Sequence, residues 1–135
     1  IQSLLKIMQE GEADFTLTFR RLSDAIRGEK AAVRKQFNNP TKYDLWESEW
    51  LSRLKQEPAS FEACAAKMDK VNPIYIPRNH KVEEALSMAV ENRNLSAFEN
   101  LLSVVTAPFV EVAGRESFTE PAPETSVPYQ TFCGT

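Results

Sequence analysis

A chain of 135 residues, 42% hydrophobic and 26% charged, has the composition of a globular protein and is long enough for one domain with a useful core. A net charge of −3 and a pI near 5.3 exclude the basic footprint of a nucleic-acid binder. No apolar run approaches the ~20 residues of a membrane helix, and no signal peptide is visible, so neither nucleic acid nor a membrane is an expected partner.

The elements follow in chain order. Ile1 to Glu10 has apolar residues at 1, 4, 5, 7 and 8, which is helical spacing, and Gly11 stops it. Asp14 is placed to cap a second helix through Phe15, Phe19, Leu22 and Ile26. The alternation of Phe15, Leu17 and Phe19 with Thr16 and Thr18 offers a rival strand; the longer helical period favours the helix. The basic pairs here, Arg20-Arg21 and Arg34-Lys35, stand among acidic residues and read as solvated faces. After Gly28, Glu29 to Phe37 predicts a short charged helix with Val33 and Phe37 facing inward. Asn38-Asn39-Pro40 is turn chemistry, and Thr41 with Asp44 resembles a capping box. The next helix carries Tyr43, Trp46, Trp50 and Leu54 on one face, which predicts a buried aromatic stripe. Pro58 ends it, Ser60 caps another, and Phe61, Cys64, Met68 and Val71 are its expected inner stripe.

Asn72 to Glu84 organises the rest. Pro73 and Pro77 each push the preceding residue out of the helical region, and neither has a backbone N–H to give. The segment is therefore an irregular crossing, anchored by Ile74, Tyr75 and Ile76, and Asn79 is expected to cap the next helix. That helix has Val82, Leu86, Ala89 and Val90 as its apolar positions and ends near Arg93-Asn94. Ser96 with Glu99 reads as a full capping box for a last helix with apolar positions 95, 98, 101, 102 and 105. The short connection predicts an antiparallel pair. From Ala107 the prolines predict an extended tail. Its aromatics Phe118, Tyr129 and Phe132 predict that part of the tail docks on a body. The fold expected is all-α: six or seven helices in a helical subdomain over 1–106, then an extended, partly ordered, Pro-rich C-terminal tail over 107–135.

The search for chemistry is mostly negative. One histidine, His80, cannot make a zinc site without partners at ligand spacing. No Gly-rich phosphate cradle and no nucleophile elbow is present. No catalytic or metal-ligating residue is therefore assigned. Arg78, Asn79 and His80 are the densest polar group on a constrained segment. They could reach a phosphate or a catalytic loop of a neighbouring domain; a capping Asn flanked by surface charges is the plainer and preferred account. Two cysteines, Cys64 and Cys133, do not make a disulfide framework, and a reducing, cytoplasmic compartment is expected. Cys64 reads as a small buried hydrophobe. Cys133, third from the end, is either an accessible reactive thiol or an idle one. The chain starts at Ile1 inside a helical pattern, which predicts a piece cut from a longer protein.

Asn72-Pro-Ile-Tyr-Ile-Pro-Arg-Asn-His-Lys-Val-Glu-Glu-Ala, Phe98-Glu-Asn-Leu-Leu, Pro108-Phe109 and the ending Tyr129-Gln-Thr-Phe-Cys-Gly-Thr resemble the C-terminal part of the selenoprotein O family. Asp14-Phe-Thr-Leu-Thr-Phe-Arg-Arg-Leu-Ser resembles it as well. The resemblance implies a bacterial parent protein with a kinase-like fold that transfers AMP from ATP to hydroxyls of protein substrates, using Mg or Mn. The residues for that reaction would lie upstream, in a kinase-like core against which this part packs. By position the resemblance also gives Cys133, where selenocysteine members carry selenocysteine, a redox role through a disulfide to a cysteine of that core. The alternative is a stand-alone all-helical protein-binding module, or a redox sensor centred on Cys133. Helical surfaces shaped to lean on an absent core also predict self-association of the isolated chain.

Overall fold

The computed structural model describes residues 1–123, and Cys133, Tyr129 and Phe132 lie outside them. Among the described residues there are seven α-helices and no strand: α1 (Gln2–Glu10), α2 (Phe15–Ile26), α3 (Ala31–Arg34), α4 (Thr41–Leu54), α5 (Phe61–Val71), α6 (Asn79–Asn92) and α7 (Ser96–Val105). A single 3-10 turn comes after them at Glu116–Phe118. The all-α expectation holds, and the strand alternative at Phe15–Phe19 gives way to α2. The chain forms two compact units, Ile1–Ile74 and the residues from Tyr75 onward.

In the first unit, Asp14 caps α2 by accepting the Leu17 N–H at 2.8 Å, and Ser60 caps α5 by accepting the Ala63 N–H at 3.2 Å. The box expected at Thr41 and Asp44 does not form. Thr41 already lies inside the helix behind Pro40, and the Asn39 side chain accepts its N–H at 3.1 Å instead.

Leu4, Met8, Leu22, Ala25, Val33, Phe37 and Tyr43 make the core of this unit. Phe37 stacks on Tyr43 with ring centroids 4.9 Å apart. Gly11 ends α1 at φ −96°, an angle any residue adopts. It is a glycine because a Cβ there would stand 2.9 Å from Cδ1 of Phe37.

Two inner faces differ from those read in the sequence. On α4 only Tyr43 of the aromatic stripe is buried; Trp46, Trp50 and Leu54 are half-buried, and the other buried residue is Glu47. Its carboxylate accepts from the Tyr43 hydroxyl at 2.8 Å and from Lys30 Nζ at 2.5 Å, so its charge is met inside the fold. Burial, and then the bond to Glu47, push the Tyr43 pKa up, so the hydroxyl stays a donor. On α5 the innermost residue is Ala65, Val71 is 70% exposed, and Cys64 is half-buried, not the buried hydrophobe expected. The small side chain of Ala65 is what fits where α5 packs on α2.

A polar seam joins those two helices. Arg20 donates to the Asp69 carbonyl at 2.9 Å and lies 3.5 Å from its carboxylate. Arg27 donates to Glu62 and, at 2.8 Å, to Asp69. Burial pushes the Asp69 pKa up, but the Ser23 hydrogen bond and the two guanidiniums outweigh it and hold the carboxyl below its usual range.

At the crossing segment, Asn72 is extended at φ −106°, ψ 105°, as its proline neighbour requires. Ile74 and Tyr75 are buried and Ile76 is half-buried. In the second unit, Tyr75 organises the loop after α7. Its N–H donates to the Pro108 carbonyl at 3.2 Å, and its hydroxyl accepts the Val112 N–H at 3.0 Å. Phe118 is half-buried, with Lys81 and Arg115 each 5.8 Å from its ring centre. The beginning of the proline-rich stretch is thus docked.

α6 and α7 pack together, as their short connection predicts. Their caps differ from expectation. Asn79 is the first helical residue and Arg78, extended at φ −63°, ψ 132°, stands at the cap position without capping the helix through its side chain. Ser96 likewise lies inside α7, and the Asn94 side chain accepts its N–H at 2.9 Å. The faces are also rotated. Ala85, Leu101 and Val104 are buried, while Leu86, Val90, Leu95, Phe98 and Leu102 are exposed. Ala85 again sits where α6 is buried, and the larger apolar residues are left outside.

Candidate functional site

Arg78, Asn79 and His80 come together at the start of α6, around a shallow cavity of about 300 Å³ that Ile76, Pro77 and Ala122 also line. A tight turn centred on Pro77, closed by the Arg78 N–H donating to the Ile76 carbonyl at 2.7 Å, leads into the helix. The Arg78 carbonyl then accepts the first helical bonds, from Lys81 at 2.9 Å and Val82 at 3.0 Å. His80 is half-buried. Burial comes first, then the charges of Lys81 and Arg78, in lowering its pKa, with Glu84 opposing weakly. Glu84 itself pairs with Lys81 at 2.9 Å. His80 is thus biased towards the neutral form, which can accept or donate a hydrogen bond at pH 7.

The first unit holds an apolar pocket of about 450 Å³. Leu4 and Leu22 are buried at its base, and Phe19, Met68, Trp46 and Trp50 line it half-buried. The two indoles stack with centroids 5.2 Å apart. Cys64 opens onto the same pocket, and Lys67 is its one charged lining residue. Sequence reading missed this pocket because it placed Trp46, Trp50 and Cys64 in the core. It also missed Glu47, although the Tyr43–Glu47 spacing of one helical turn was visible.

Neither place brings catalytic groups together. Among the described residues no three His, Cys, Asp or Glu side chains converge as metal ligands. A divalent metal finds no ligand set in them. No helix among them is long and apolar enough to cross a membrane.

The family model described as Protein adenylyltransferase SelO matches residues 1–106 of this chain. The chain belongs to the SelO family. Its relatives include proteins called protein nucleotidyltransferase YdiU. One from Methylorubrum extorquens is 44% identical over 140 residues, covering 98% of this chain and 28% of the relative. That of Bradyrhizobium sp. strain ORS 278 is 44% identical over 135 residues, covering 99% and 28%. That of Rhizobium johnstonii is 43% identical over 138 residues, covering 100% and 27%. The chain therefore spans little more than a quarter of the length of these relatives.

Proposed function

We propose that this chain is the C-terminal helical part of a bacterial, cytoplasmic protein adenylyltransferase that transfers AMP from ATP to hydroxyls of protein substrates. In this reading the kinase-like core lies upstream and holds ATP and Mg or Mn. The present residues buttress that core and supply no catalytic group. The observation that carries it is the match of residues 1–106 to the adenylyltransferase family, together with the small share of each relative that the chain spans. The apolar residues left exposed on α6 and α7 support it, since a face of that kind is usually covered in the complete protein.

Arg78, Asn79 and His80 are the contact to the core. They stand on backbone stiffened by Pro77, and a neutral His80 can meet either a donor or an acceptor there. Cys133 is the redox residue, acting through a disulfide to a cysteine of the core. The test is transfer of label from ATP to a protein substrate by the whole protein. Label from the α-phosphate is the predicted result, and label from the γ-phosphate alone contradicts the reading. For Cys133, a Cys133→Ser whole protein loses its response to oxidant; an unchanged response removes that role.

A further inference from the structure

The apolar pocket of the first unit is walled chiefly by three helices. Phe19 and Leu22 come from α2, Trp46 and Trp50 from α4, and Lys67 and Met68 from α5. Its volume of about 450 Å³ lies within the ~300–1,000 Å³ of small-molecule sites. Apart from the Cys64 thiol and the Lys67 ammonium, its lining side chains are hydrocarbon, thioether or indole. A ligand with polar groups along its body would lose their hydrogen bonds to water there and find few in return. Charge enters through Lys67, which is exposed and has no ion-pair or hydrogen-bond partner among the described residues. Trp46, Trp50 and Leu54 also line a second depression, where Glu49 and Glu57 outnumber Arg53. That side repels an anion, and the Lys67 side attracts one.

We propose that this pocket binds a free medium-chain fatty acid. The alkyl chain lies against the indoles, Phe19, Leu22 and Met68, and the carboxylate meets Lys67 at the mouth. The two indoles stack with centroids 5.2 Å apart and form one continuous apolar wall. Met68 is an adaptable side chain, which lets the opposite wall follow a flexible ligand. Lys67 lines the pocket yet is exposed, so its stem adds apolar wall while its ammonium stays in water. An apolar cation is the rival ligand, because indole faces attract cations and Glu49 and Glu57 are near them. Protein, from elsewhere in the same chain or from a second copy, is the rival occupant.

The test is calorimetric titration of the whole protein with decanoate. Binding of a single decanoate per chain is expected. Octanoate, shorter by two methylenes, should bind roughly fifteenfold weaker, at about fourfold for each buried methylene. Lys67→Glu should weaken decanoate binding about tenfold and Lys67→Arg should keep it; Lys67 is exposed, so neither change disturbs the fold. Cys64 reports the place of binding. At about ten times its Kd, decanoate should slow alkylation of Cys64 by iodoacetamide about tenfold, read from the mass of the Cys64 peptide. No binding, equal affinity in Lys67→Glu, decylammonium binding as tightly as decanoate, or an unchanged Cys64 rate overturns the proposal. So does a Cys64 that resists alkylation in folded protein before any ligand is added, because the pocket is then filled by protein. None of these readouts needs nucleotide transfer, so a whole protein that fails to transfer AMP leaves this inference to stand or fall alone.

Discussion

The Tyr75 hydroxyl lies between two backbone groups of Val112, accepting its N–H at 3.0 Å and reaching its carbonyl at 3.3 Å. One side chain from the crossing segment thereby holds the loop after α7. Tyr75→Phe keeps the ring and removes both bonds, leaving a part-buried N–H without that acceptor. Urea unfolding should show a loss of about 1–2 kcal/mol. A loss indistinguishable from zero means the hydroxyl does not hold the loop.

Gly11 and Gly28 should respond to alanine for different reasons. At Gly11 the new Cβ meets the Phe37 ring at 2.9 Å and the Ile7 carbonyl at 3.1 Å, so the cost is steric, about 1–3 kcal/mol. At Gly28 nothing lies within 4 Å, but φ is +101°, so the cost is backbone strain, about 1–2 kcal/mol. Phe37→Leu should recover part of the Gly11→Ala loss and none of the Gly28→Ala loss, measured as denaturation midpoints in the double variants.

Acid should weaken the α2–α5 seam. The Asp69 carboxyl is held below its unfolded pKa, so its contribution is fully present above that value and is lost as pH falls through the folded one. Stability should therefore decline below about pH 4. Asp69→Asn should be less stable at neutral pH and should lose less on acidification. Equal slopes for the two proteins between pH 5 and pH 2 would contradict the assignment, as read by urea midpoints at each pH.

Lys30→Ala should cost more than a surface lysine normally does. It leaves the buried Glu47 carboxylate, among the described residues, with the Tyr43 hydroxyl and no counter-charge. Because Lys30 is itself about half exposed, the loss is set at about 1–2 kcal/mol, below the range for a fully buried pair. Glu47→Gln in the Lys30→Ala background should restore part of it, since a neutral amide needs no counter-charge.

Helix positions were legible because the apolar period is strong, and because Asp14 and Ser60 are caps of the usual kind. The two prolines likewise marked the crossing segment. What the sequence hid was rotation about each helix axis. Periodicity ranks Val71, Leu86 and Val90 as inward, yet close packing selects Ala65 and Ala85 and leaves the larger residues outside. Glu47 was hidden for a related reason: a carboxylate is assigned to solvent unless its partners, Tyr43 and Lys30, are seen to converge on it. The caps at Arg78 and Leu95 were misplaced by one residue, because Asn79 and Ser96 are good capping types that start their helices from inside. Of the candidate site, the grouping of Arg78, Asn79 and His80 was legible, whereas the tryptophan-lined pocket was not.

The proposed function makes these helices the support of an AMP-transferring core, with no active site of their own. The direct measurement incubates ATP labelled at the α-phosphate, with Mg and a test protein, once with residues 1–135 alone and once with the whole protein. Label on protein only with the whole protein is the predicted result. Label transferred by residues 1–135 alone, or none by the whole protein while the γ-phosphate is transferred, would contradict it.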